Sequence, residues 1–208
     1  LLDVGCGVGV PAIRLGQRTD AEVTGITISR WQVAEANRRA AEAGLRGQVR
    51  FEYGDASELA YPDGFFDAVM ALDALVHAGD RSRWLREMYR VLRPGGRFSL
   101  SEFTEEVPLS DSDHEVIGFG AMSPPLPART LLDLVRDCGF VVDEFELCGD
   151  RVRRTYDAYF EQIARRRAEL AAAYGEEKVG MYEHGMVPLF DICREKMGYI
   201  IVSGYKAA

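Results

Sequence analysis

The residues with the clearest chemical meaning stand at the start of the chain, where three glycines alternate with other residues. Residues 1–4 form an apolar run broken only by Asp3, which is typical of the end of a buried parallel strand. Pro11 suits the first turn of a following helix. Without Cβ atoms, the turn in between lets another molecule approach the backbone closely, which predicts a nucleotide-like ligand there. The three glycines are Gly5, Gly7 and Gly9.

The residues in and beside this glycine turn indicate which kind of nucleotide-like ligand is favoured. A dinucleotide fingerprint requires a third glycine where Val10 stands, so a nicotinamide cofactor is not favoured. The carboxylate of Asp3 would repel a pyrophosphate lying against the turn, whereas it would attract a ligand that carries cationic groups. Cys6, inside the turn, is interpreted as a small filler rather than a nucleophile. The turn therefore predicts a nucleotide-like ligand with positive charge.

Three further side chains could accept a proton or stabilise charge near the ends of later strands. They are Asp73, His77 and Glu102. A histidine titrates near neutral pH and could take a proton from a hydroxyl, while a carboxylate could orient it. Plainer interpretations exist, because Asp73 can cap a helix and His77 can be an ordinary loop histidine. Both interpretations remain open at this point.

Composition limits the possible partners. The 208 residues carry a formal net charge of −8 and a pI near 5.0, which disfavours a surface for nucleic acid. No apolar run reaches the ~20 residues that a membrane span needs, so no membrane partner is expected. The spacing of the cysteines matches neither a metal site nor a disulfide framework, so we expect no metal ligands and a cytoplasmic protein. The cysteines are Cys6, Cys138, Cys148 and Cys193.

The hydrophobic pattern predicts an α/β fold with a doubly wound, seven-stranded, mostly parallel, Rossmann-like sheet. Helices should follow the glycine turn and the second strand, and an acidic, Gly- and Pro-rich loop should cover 104–127. Amphipathic helices over 151–196 are inserted between the sixth and seventh strands, where they could form a lid or simply pack on a core. Strands are expected at residues 1–4, 22–28, 48–53, 65–72, 97–103, 140–147 and 197–202, and further helices at 30–43, 83–92 and 128–138.

The length is most simply that of a single domain, residues 1–208. Within it we expect a cofactor-binding half, then a loop, a helix and the sixth strand, then the helical lid insertion and the last strand. Because the chain starts inside a core strand without a Met, we also expect that an upstream segment has been left out. The sequence predicts no oligomeric state. The four parts are residues 1–103, 104–150, 151–196 and 197–208.

Four ordered motifs within residues 1–103 resemble those of the class I S-adenosylmethionine-dependent methyltransferases. The glycine turn resembles their motif I, and residues 25–32 (GITISRWQ) resemble the GITxSxxQ variant of small-molecule and lipid-directed members. Residues 54–56 resemble their GDA motif, and residues 92–96 their LRPGG turn. Four motifs at the family's spacing are stronger evidence than any one alone. The resemblance implies S-adenosyl-L-methionine as cofactor, an antiparallel last strand beside the fifth, and an N-terminal helical segment that closes the site.

The resemblance also implies which residues contact the cofactor. The turn would pack against the aminocarboxypropyl and ribose parts, Gln32 would take over part of the ribose contact, and Asp55 would accept a hydrogen bond from the adenine amino group. Two of these have plainer alternatives, since Ser29-x-x-Gln32 is also a capping box and Asp55 can form an Asx turn. The expected set is Asp3, Gly5, Cys6, Gly7, Gly9, Thr27, Ile28, Gln32, Asp55, Ala56, Ala71 and Leu72.

Three reactions on a small-molecule acceptor are compatible with the resemblance. Related natural-product sugar O-methyltransferases carry a His-His…Asp set, and Val76, His77 and Glu102 stand at those positions here. Asp73 stands where some carbon-methylating relatives carry a Glu that steadies a developing carbocation. Residues 174–199 also resemble spinosyn-pathway tailoring enzymes, one of which catalyses a cyclisation. The resemblance therefore implies O-methylation of a bulky secondary metabolite (polyketide, macrolide or glycoside), C-methylation of an isoprenoid or polyketide carbon, or cyclisation without methyl transfer.

Overall fold

The computed structural model describes residues 1–119 and 121–208, which divide into two compact units. We call them the sheet unit and the helical unit. The sheet unit comprises Leu1–Glu102, Arg129–Phe145 and Ile201–Ala208, and the helical unit comprises Phe103–Ala128 and Glu146–Ile200.

The described strands form one sheet in the order β3-β2-β1-β4-β5-β8-β7, with β6 paired to β5 off this path. The pairs β1–β2, β1–β4, β2–β3 and β4–β5 are parallel. The predicted mostly parallel, seven-stranded sheet is therefore confirmed, with the two-residue β6 as an addition. The strands are β1 (Leu2–Val4), β2 (Val23–Thr27), β3 (Val49–Tyr53), β4 (Phe66–Leu72), β5 (Leu92–Glu105), β6 (Leu126–Pro127), β7 (Phe140–Leu147) and β8 (Met197–Lys206).

The last strand, β8, runs antiparallel to β7. The carbonyl of Tyr199 accepts a hydrogen bond from the N–H of Cys148 at 2.8 Å. Further along β8, Gly204 lies directly against the backbone of Val141, near the start of β7. Residue numbers thus increase along β8 as they decrease along β7, so the two strands are antiparallel. This confirms the direction that the family resemblance implied for the last strand.

Seven helices flank or interrupt the strands in the described residues, and a single 3-10 turn (Leu75–His77) follows β4. Two long helices lie between β7 and β8, so the predicted helical insertion is present. Its role as a lid stays a prediction. The helices are α1 (Val10–Gly16), α2 (Arg30–Glu42), α3 (Arg81–Val91), α4 (Asp111–Phe119), α5 (Ala128–Asp137), α6 (Gly149–Tyr174) and α7 (Glu176–Lys196).

The core of the sheet unit forms where small residues let helices approach the strands. Ala12 of α1 and Ala36 of α2 are fully buried, and the ring of Phe51 on β3 packs in the same cluster. Two glycines make room for that ring, because a Cβ on either Gly9 or Gly25 would overlap it. The packing of one aromatic ring thus holds the glycine turn against the second and third strands.

The predicted loop over 104–127 is wrong for residues 111–119, which form α4. The N–H and hydroxyl of Ser110 both donate to the carboxylate of Asp113 at 2.7 Å, and the Asp113 N–H donates back to the Ser110 hydroxyl at 3.3 Å. This reciprocal arrangement is a helix start. Ile117 is fully buried in a cluster with Leu189 of α7. This tertiary contact stabilises a helix in a segment whose composition had indicated a loop. Gly120, within the same predicted loop, lies outside the described residues.

Two other boundaries also differ from expectation. Helix α3 begins at Arg81 rather than 83, because the Asp80 side chain accepts a hydrogen bond from the Arg83 N–H and caps the helix there. Strand β5 begins at Leu92 rather than 97. Leu92 pairs with Phe66 before the register shifts, so part of the predicted turn is counted within the strand.

Candidate active site at the carboxyl ends of the strands

The strand registers bring the predicted site residues to one edge of the sheet unit. Because neighbouring parallel strands end together, the segments that follow β1, β2, β3 and β4 emerge side by side. The predicted cofactor residues lie at these ends or within a few residues after them, and all lie within the sheet unit. The paired positions that fix this arrangement are Asp3–Met70, Val4–Ile26, Thr27–Tyr53 and Leu72–Ser101.

The three glycines of the turn all adopt left-handed backbone conformations, with φ of 73° at Gly5, 54° at Gly7 and 80° at Gly9. At Gly5 an added Cβ would lie 2.6 Å from the Cβ of Ala74, and at Gly9 it would overlap Phe51. At Gly7 it would meet no described atom within 4 Å. Two glycines are therefore required by packing, while the middle one faces open space that a ligand could fill.

The backbone of the turn is tied to the second strand. The N–H groups of Gly5 and Cys6 both donate to the carbonyl of Ile26, at 3.0 and 2.9 Å. Burial raises the pKa of the Cys6 thiol to about 12, and the side chain is 5% exposed. At neutral pH Cys6 is thus a protonated, buried thiol, which suits a filler better than a nucleophile.

Asp3 is the most unusual charged group of the site. Its side chain is 2% exposed, and its Oδ2 atom is buried without a hydrogen-bond partner among the described residues. Burial raises the pKa of this carboxyl from 3.8 to about 7. A buried carboxyl oxygen without a partner is costly, so the position is suited to a ligand that brings a positive charge or a donor.

The end of β2 forms a small hydrogen-bonded network. The Thr27 hydroxyl donates to Oε1 of Gln32 at 2.6 Å and accepts from the Ser29 N–H at 3.2 Å. The Ser29 hydroxyl accepts from the Gln32 N–H at 3.3 Å, so the N-cap of the capping-box alternative is present. Ile28, between them, is 66% exposed. The exposed side chain of Ile28 can pack against a flat ring of a ligand, and the ordered amide of Gln32 can form a hydrogen bond with a hydroxyl of that ligand.

The end of β3 presents an exposed carboxylate and a buried alanine. The Ser57 N–H donates to Oδ1 of Asp55 at 2.8 Å, which is the Asx turn. This bond holds the pKa of Asp55 below its usual range, so the group is ionised at neutral pH. Ala56 is 4% exposed. The turn orients Asp55 and leaves it exposed, so the turn and a ligand contact are compatible.

A cavity of about 380 Å³ opens beside Asp55. Its wall includes Ile26, Leu59 and Tyr61, and the Tyr61 hydroxyl donates to the carboxylate of Glu52. Burial, with help from that hydrogen bond, raises the pKa of Tyr61, so its proton stays in place. The volume lies within the range of small-molecule sites.

The end of β4 carries a residue in an uncommon conformation. Ala71 is fully buried and Leu72 is half-buried, whereas Asp73 is exposed with φ of 52°. The Asp73 N–H donates to the carbonyl of Ser101 at 3.0 Å, and the Ser101 hydroxyl donates to Oδ1 of Asp73 at 3.4 Å. Such left-handed residues are enriched at functional sites.

Asp73 and His77 follow β4, whereas Glu102 lies within the neighbouring strand β5, and the three side chains have different surroundings. His77 is exposed at the end of the 3-10 turn, whereas Val76 beside it is 2% exposed. Glu102, on β5, is also 2% exposed. Burial lowers the pKa of Arg81, and the nearby charge of Glu102 acts in the opposite direction. Glu102 is therefore close enough to Arg81 for their charges to interact.

Arg81 is the residue of this site that the sequence reasoning missed. The signal was available, because Asp80-x-x-Arg83 fits an N-cap and would have started α3 at Arg81. Its electrostatic interaction with Glu102 joins residues 21 positions apart in the chain and could not be read from spacing. Among the described residues, no group of three or more His, Cys, Asp or Glu side chains could hold a metal ion.

Comparison with known proteins gives a consistent picture. A family model described as a methyltransferase domain matches residues 1–96. The 27-O-demethylrifamycin SV methyltransferase of Amycolatopsis mediterranei is 54% identical over 103 residues, which are 50% of this chain and 38% of that protein. The (+)-O-methylkolavelool synthase of Herpetosiphon aurantiacus is 31% identical over 212 residues, which are 99% of this chain and 73% of that protein.

Solved structures also resemble the chain over its whole length, and the cyclase SpnF is among them. The crystal structure of the [4+2]-cyclase SpnF has a TM-score of 0.83 and 32% sequence identity, and the match covers 100% of this chain and 75% of that chain. None of the helices in the described part of this chain is long and apolar enough to cross a bilayer.

Proposed function

Because this chain belongs to the class I S-adenosylmethionine-dependent methyltransferases, we propose that it transfers a methyl group from S-adenosyl-L-methionine to a hydroxyl of a bulky secondary metabolite such as a polyketide, macrolide or glycoside. The observation that carries the hydroxyl acceptor is the likeness, over 99% of this chain, to a protein named for an O-methyl product. The shorter match to a rifamycin O-methyltransferase points in the same direction.

The residues present fit this cofactor. S-adenosylmethionine carries a sulfonium and an ammonium group, and the buried carboxyl of Asp3 lacks a hydrogen-bond partner at Oδ2 among the described residues. The backbone at Gly7 faces open space, so a ligand can lie against it. We assign the ribose contact to Gln32 and the adenine contact to Asp55. The remaining assigned contacts are Gly5, Cys6, Gly9, Thr27, Ile28, Ala56, Ala71 and Leu72.

When bound, the cofactor supplies a methyl group that its sulfonium has already activated. The main contribution of the protein is then to hold donor and acceptor in line and to exclude water, and such positioning can lower a barrier by about 7–11 kcal/mol. A neutral hydroxyl also benefits from a general base. We assign that role to His77, whose exposed imidazole follows β4 and can take the hydroxyl proton.

Glu102 has two possible roles in this proposal. It can orient His77, or it can remain paired electrostatically with Arg81, whose charge it faces. In the second case Glu102 and Arg81 shape the site without moving a proton. Asp73, in its left-handed conformation, is the alternative charged residue, and it would matter most if the acceptor were a carbon whose methylation develops positive charge.

The test is a methyl-transfer assay with label on the methyl group of S-adenosylmethionine. The acceptors are 27-O-demethylrifamycin SV and the diterpene alcohol geranylgeraniol, each compared with its analogue that lacks the hydroxyl. We expect label on the alcohols and none on the analogues. We also expect His77→Ala to lower kcat by about 10²–10⁴-fold, as the loss of a general base does, while Asp73→Asn has a smaller effect.

Each other outcome of the assay identifies a different reaction. Label on the analogues, together with a large loss of kcat in Asp73→Asn, would show C-methylation and contradict O-methylation. Cofactor binding without label transfer to either acceptor would favour cyclisation, the second candidate, which rests on the likeness of this whole chain to 75% of the cyclase SpnF. Direct detection of cyclised product from a linear polyene with unconsumed cofactor would establish that candidate.

A further inference from the structure

The helical unit contains a long helix whose apolar side is only partly covered. Helix α6 has 26 residues, all of them described, and none is buried. Its apolar side chains nevertheless recur at helical spacing, at Tyr159, Ile163 and Leu170. Helix α7 follows after Gly175 and packs against α6. An apolar stripe that its neighbours cover only in part is suited to a ligand.

A cavity of about 460 Å³ lies between these two helices. Its volume is within the range of small-molecule sites, and all of its wall belongs to α6 and α7. The apolar part of the wall combines aliphatic and aromatic side chains. The lining residues that matter here are Tyr159, Ile163, Leu170, Tyr174, Val179 and Tyr182.

Two of the polar groups in the wall satisfy each other. The hydroxyls of Tyr159 and Tyr182 are hydrogen-bonded together. Burial, together with this bond, raises the pKa of Tyr182, so its hydroxyl keeps its proton at physiological pH. These rings therefore present apolar faces without a charge, which suits the hydrocarbon part of a ligand.

The charged groups of the wall are both cationic. Lys178 is exposed and forms no hydrogen bond or ion pair within the described part of the chain. Arg166 also lines the cavity, and its guanidinium binds the Glu169 carboxylate at 2.6 and 2.8 Å. The chain as a whole is acidic, with a net charge of −8, so an unpaired lysine beside an apolar cavity is a local exception. It would attract a carboxylate.

We propose that the cavity between α6 and α7 binds an amphipathic carboxylate, with its hydrocarbon part against the tyrosines and aliphatic side chains and its carboxylate at Lys178. The site lies wholly within the helical unit, and it does not depend on the methyl-transfer reaction proposed above. The positive charge of Lys178 favours an anionic ligand, and the cavity volume is that of a site for a small molecule of roughly drug size.

The test uses n-decanoate and n-decanol as probes, measured by isothermal titration calorimetry on the full chain. The two probes share a hydrocarbon tail and differ in charge. We expect decanoate to bind more tightly than decanol. Lys178→Gln should weaken decanoate binding by about 2–5-fold, the worth of one exposed ion pair, and leave decanol binding unchanged.

Neighbouring arginines of α6 supply a matched control. Arg166 and Arg165 each pair with a glutamate of the same helix, Glu169 and Glu161, but only Arg166 lines the cavity. Arg166→Gln should weaken decanoate binding because it removes a cation from the cavity wall, whereas Arg165→Gln should have no effect. Both side chains are exposed, so both variants should fold, which circular dichroism would verify.

Three outcomes would overturn the proposal. The first is absence of decanoate binding, and the second is equal affinity for decanoate and decanol. The third is a decanoate affinity that Lys178→Gln and Arg166→Gln leave unchanged, which would place the bound molecule elsewhere in the chain.

Discussion

Gly7 and Gly44 share a backbone conformation but differ in their surroundings. Their φ values are 54° and 75°, and at both positions an added Cβ would meet no described atom within 4 Å. Gly7 lies in the turn after β1, whereas Gly44 follows α2. Substituting each glycine in turn therefore distinguishes the energetic cost of backbone strain, which both positions share, from the loss of space for a ligand, which concerns Gly7 alone.

We expect Gly7→Ala and Gly44→Ala to lower the free energy of unfolding by similar amounts, about 1–2 kcal/mol, because each forces alanine into a left-handed conformation. Only Gly7→Ala should weaken S-adenosylmethionine binding, by at least about tenfold, since its methyl group would occupy the open space at the turn. Urea unfolding and calorimetric titration measure the two effects. If both variants bind as the parent does, the cofactor does not lie against Gly7.

Asp3 makes the stability of the chain depend on pH in an unusual direction. Its pKa is raised by burial from 3.8 to about 7, so between these values the folded state holds more protons than the unfolded state. The free energy of unfolding must then fall as the pH rises through this range, by up to about 4 kcal/mol from this group. Measuring the free energy of unfolding of the parent and of Asp3→Asn at pH 5 and pH 8 tests this. The contribution of Asp3 to the decrease between the two pH values should be absent in the variant.

The same carboxyl should couple cofactor binding to pH. A cationic ligand beside Asp3 favours the ionised form, so affinity for S-adenosylmethionine should rise between pH 5.5 and pH 8, by about tenfold per unit at most. Titration at pH 6.5 in buffers of different ionisation enthalpy should reveal proton release on binding. In Asp3→Asn the affinity should be weaker and independent of pH. A parent affinity that is flat over this range would contradict the assignment of Asp3.

At the scale of elements, α3 and α6 contrast in how they are held. Helix α3 buries Leu85, Met88 and Val91 completely, whereas none of the 26 described residues of α6 is buried. Each fully buried large apolar side chain contributes about 1.5–3 kcal/mol. The free energy of local opening should therefore be much lower for α6.

Hydrogen exchange followed by mass spectrometry should show this difference. We expect the interior amides of α6 to exchange at least about 10²-fold faster than those of α3, in the free chain at neutral pH. Helix α5, which buries Leu131, Leu132 and Val135, serves as a second reference and should resemble α3. Equal protection of α6 and α3 would mean that the apolar side of α6 is covered in solution.

The elements themselves differ in how well local sequence predicted them. Strands β1 to β4 and helix α2 were predicted to within a residue or two, because continuous apolar runs, β-branched residues and the Ser29 cap are local signals. Helix α4 was not predicted, since the acidic, Gly- and Pro-rich composition around it indicated a loop. Its buried apolar side chain, Ile117, stabilises the helix only through tertiary contact with Leu189 of α7. The start of β5 was misplaced because pairing with Phe66 precedes the break in register.

At the scale of the whole molecule, the chain forms two compact units, and the cofactor residues predicted from sequence all belong to the sheet unit. The cavity between α6 and α7 belongs to the helical unit. The four ordered motifs that resemble those of the methyltransferase family lie within residues 1–103, and they therefore describe the sheet unit far better than the helical unit. Amphipathic spacing predicted that residues 151–196 are helical, and it carried no information about what their apolar sides contact.

The sequence by itself determined the sheet, the glycine turn and the family, because these depend on patterns that a few neighbouring residues create. The tertiary structure decided the environment of each group. It buried Asp3 without a hydrogen-bond partner at Oδ2 in the described chain, left Gly7 facing open space, and brought Glu102 within electrostatic reach of Arg81. Burial, open space and charge interactions arise between residues distant in the chain, so no local pattern encodes them.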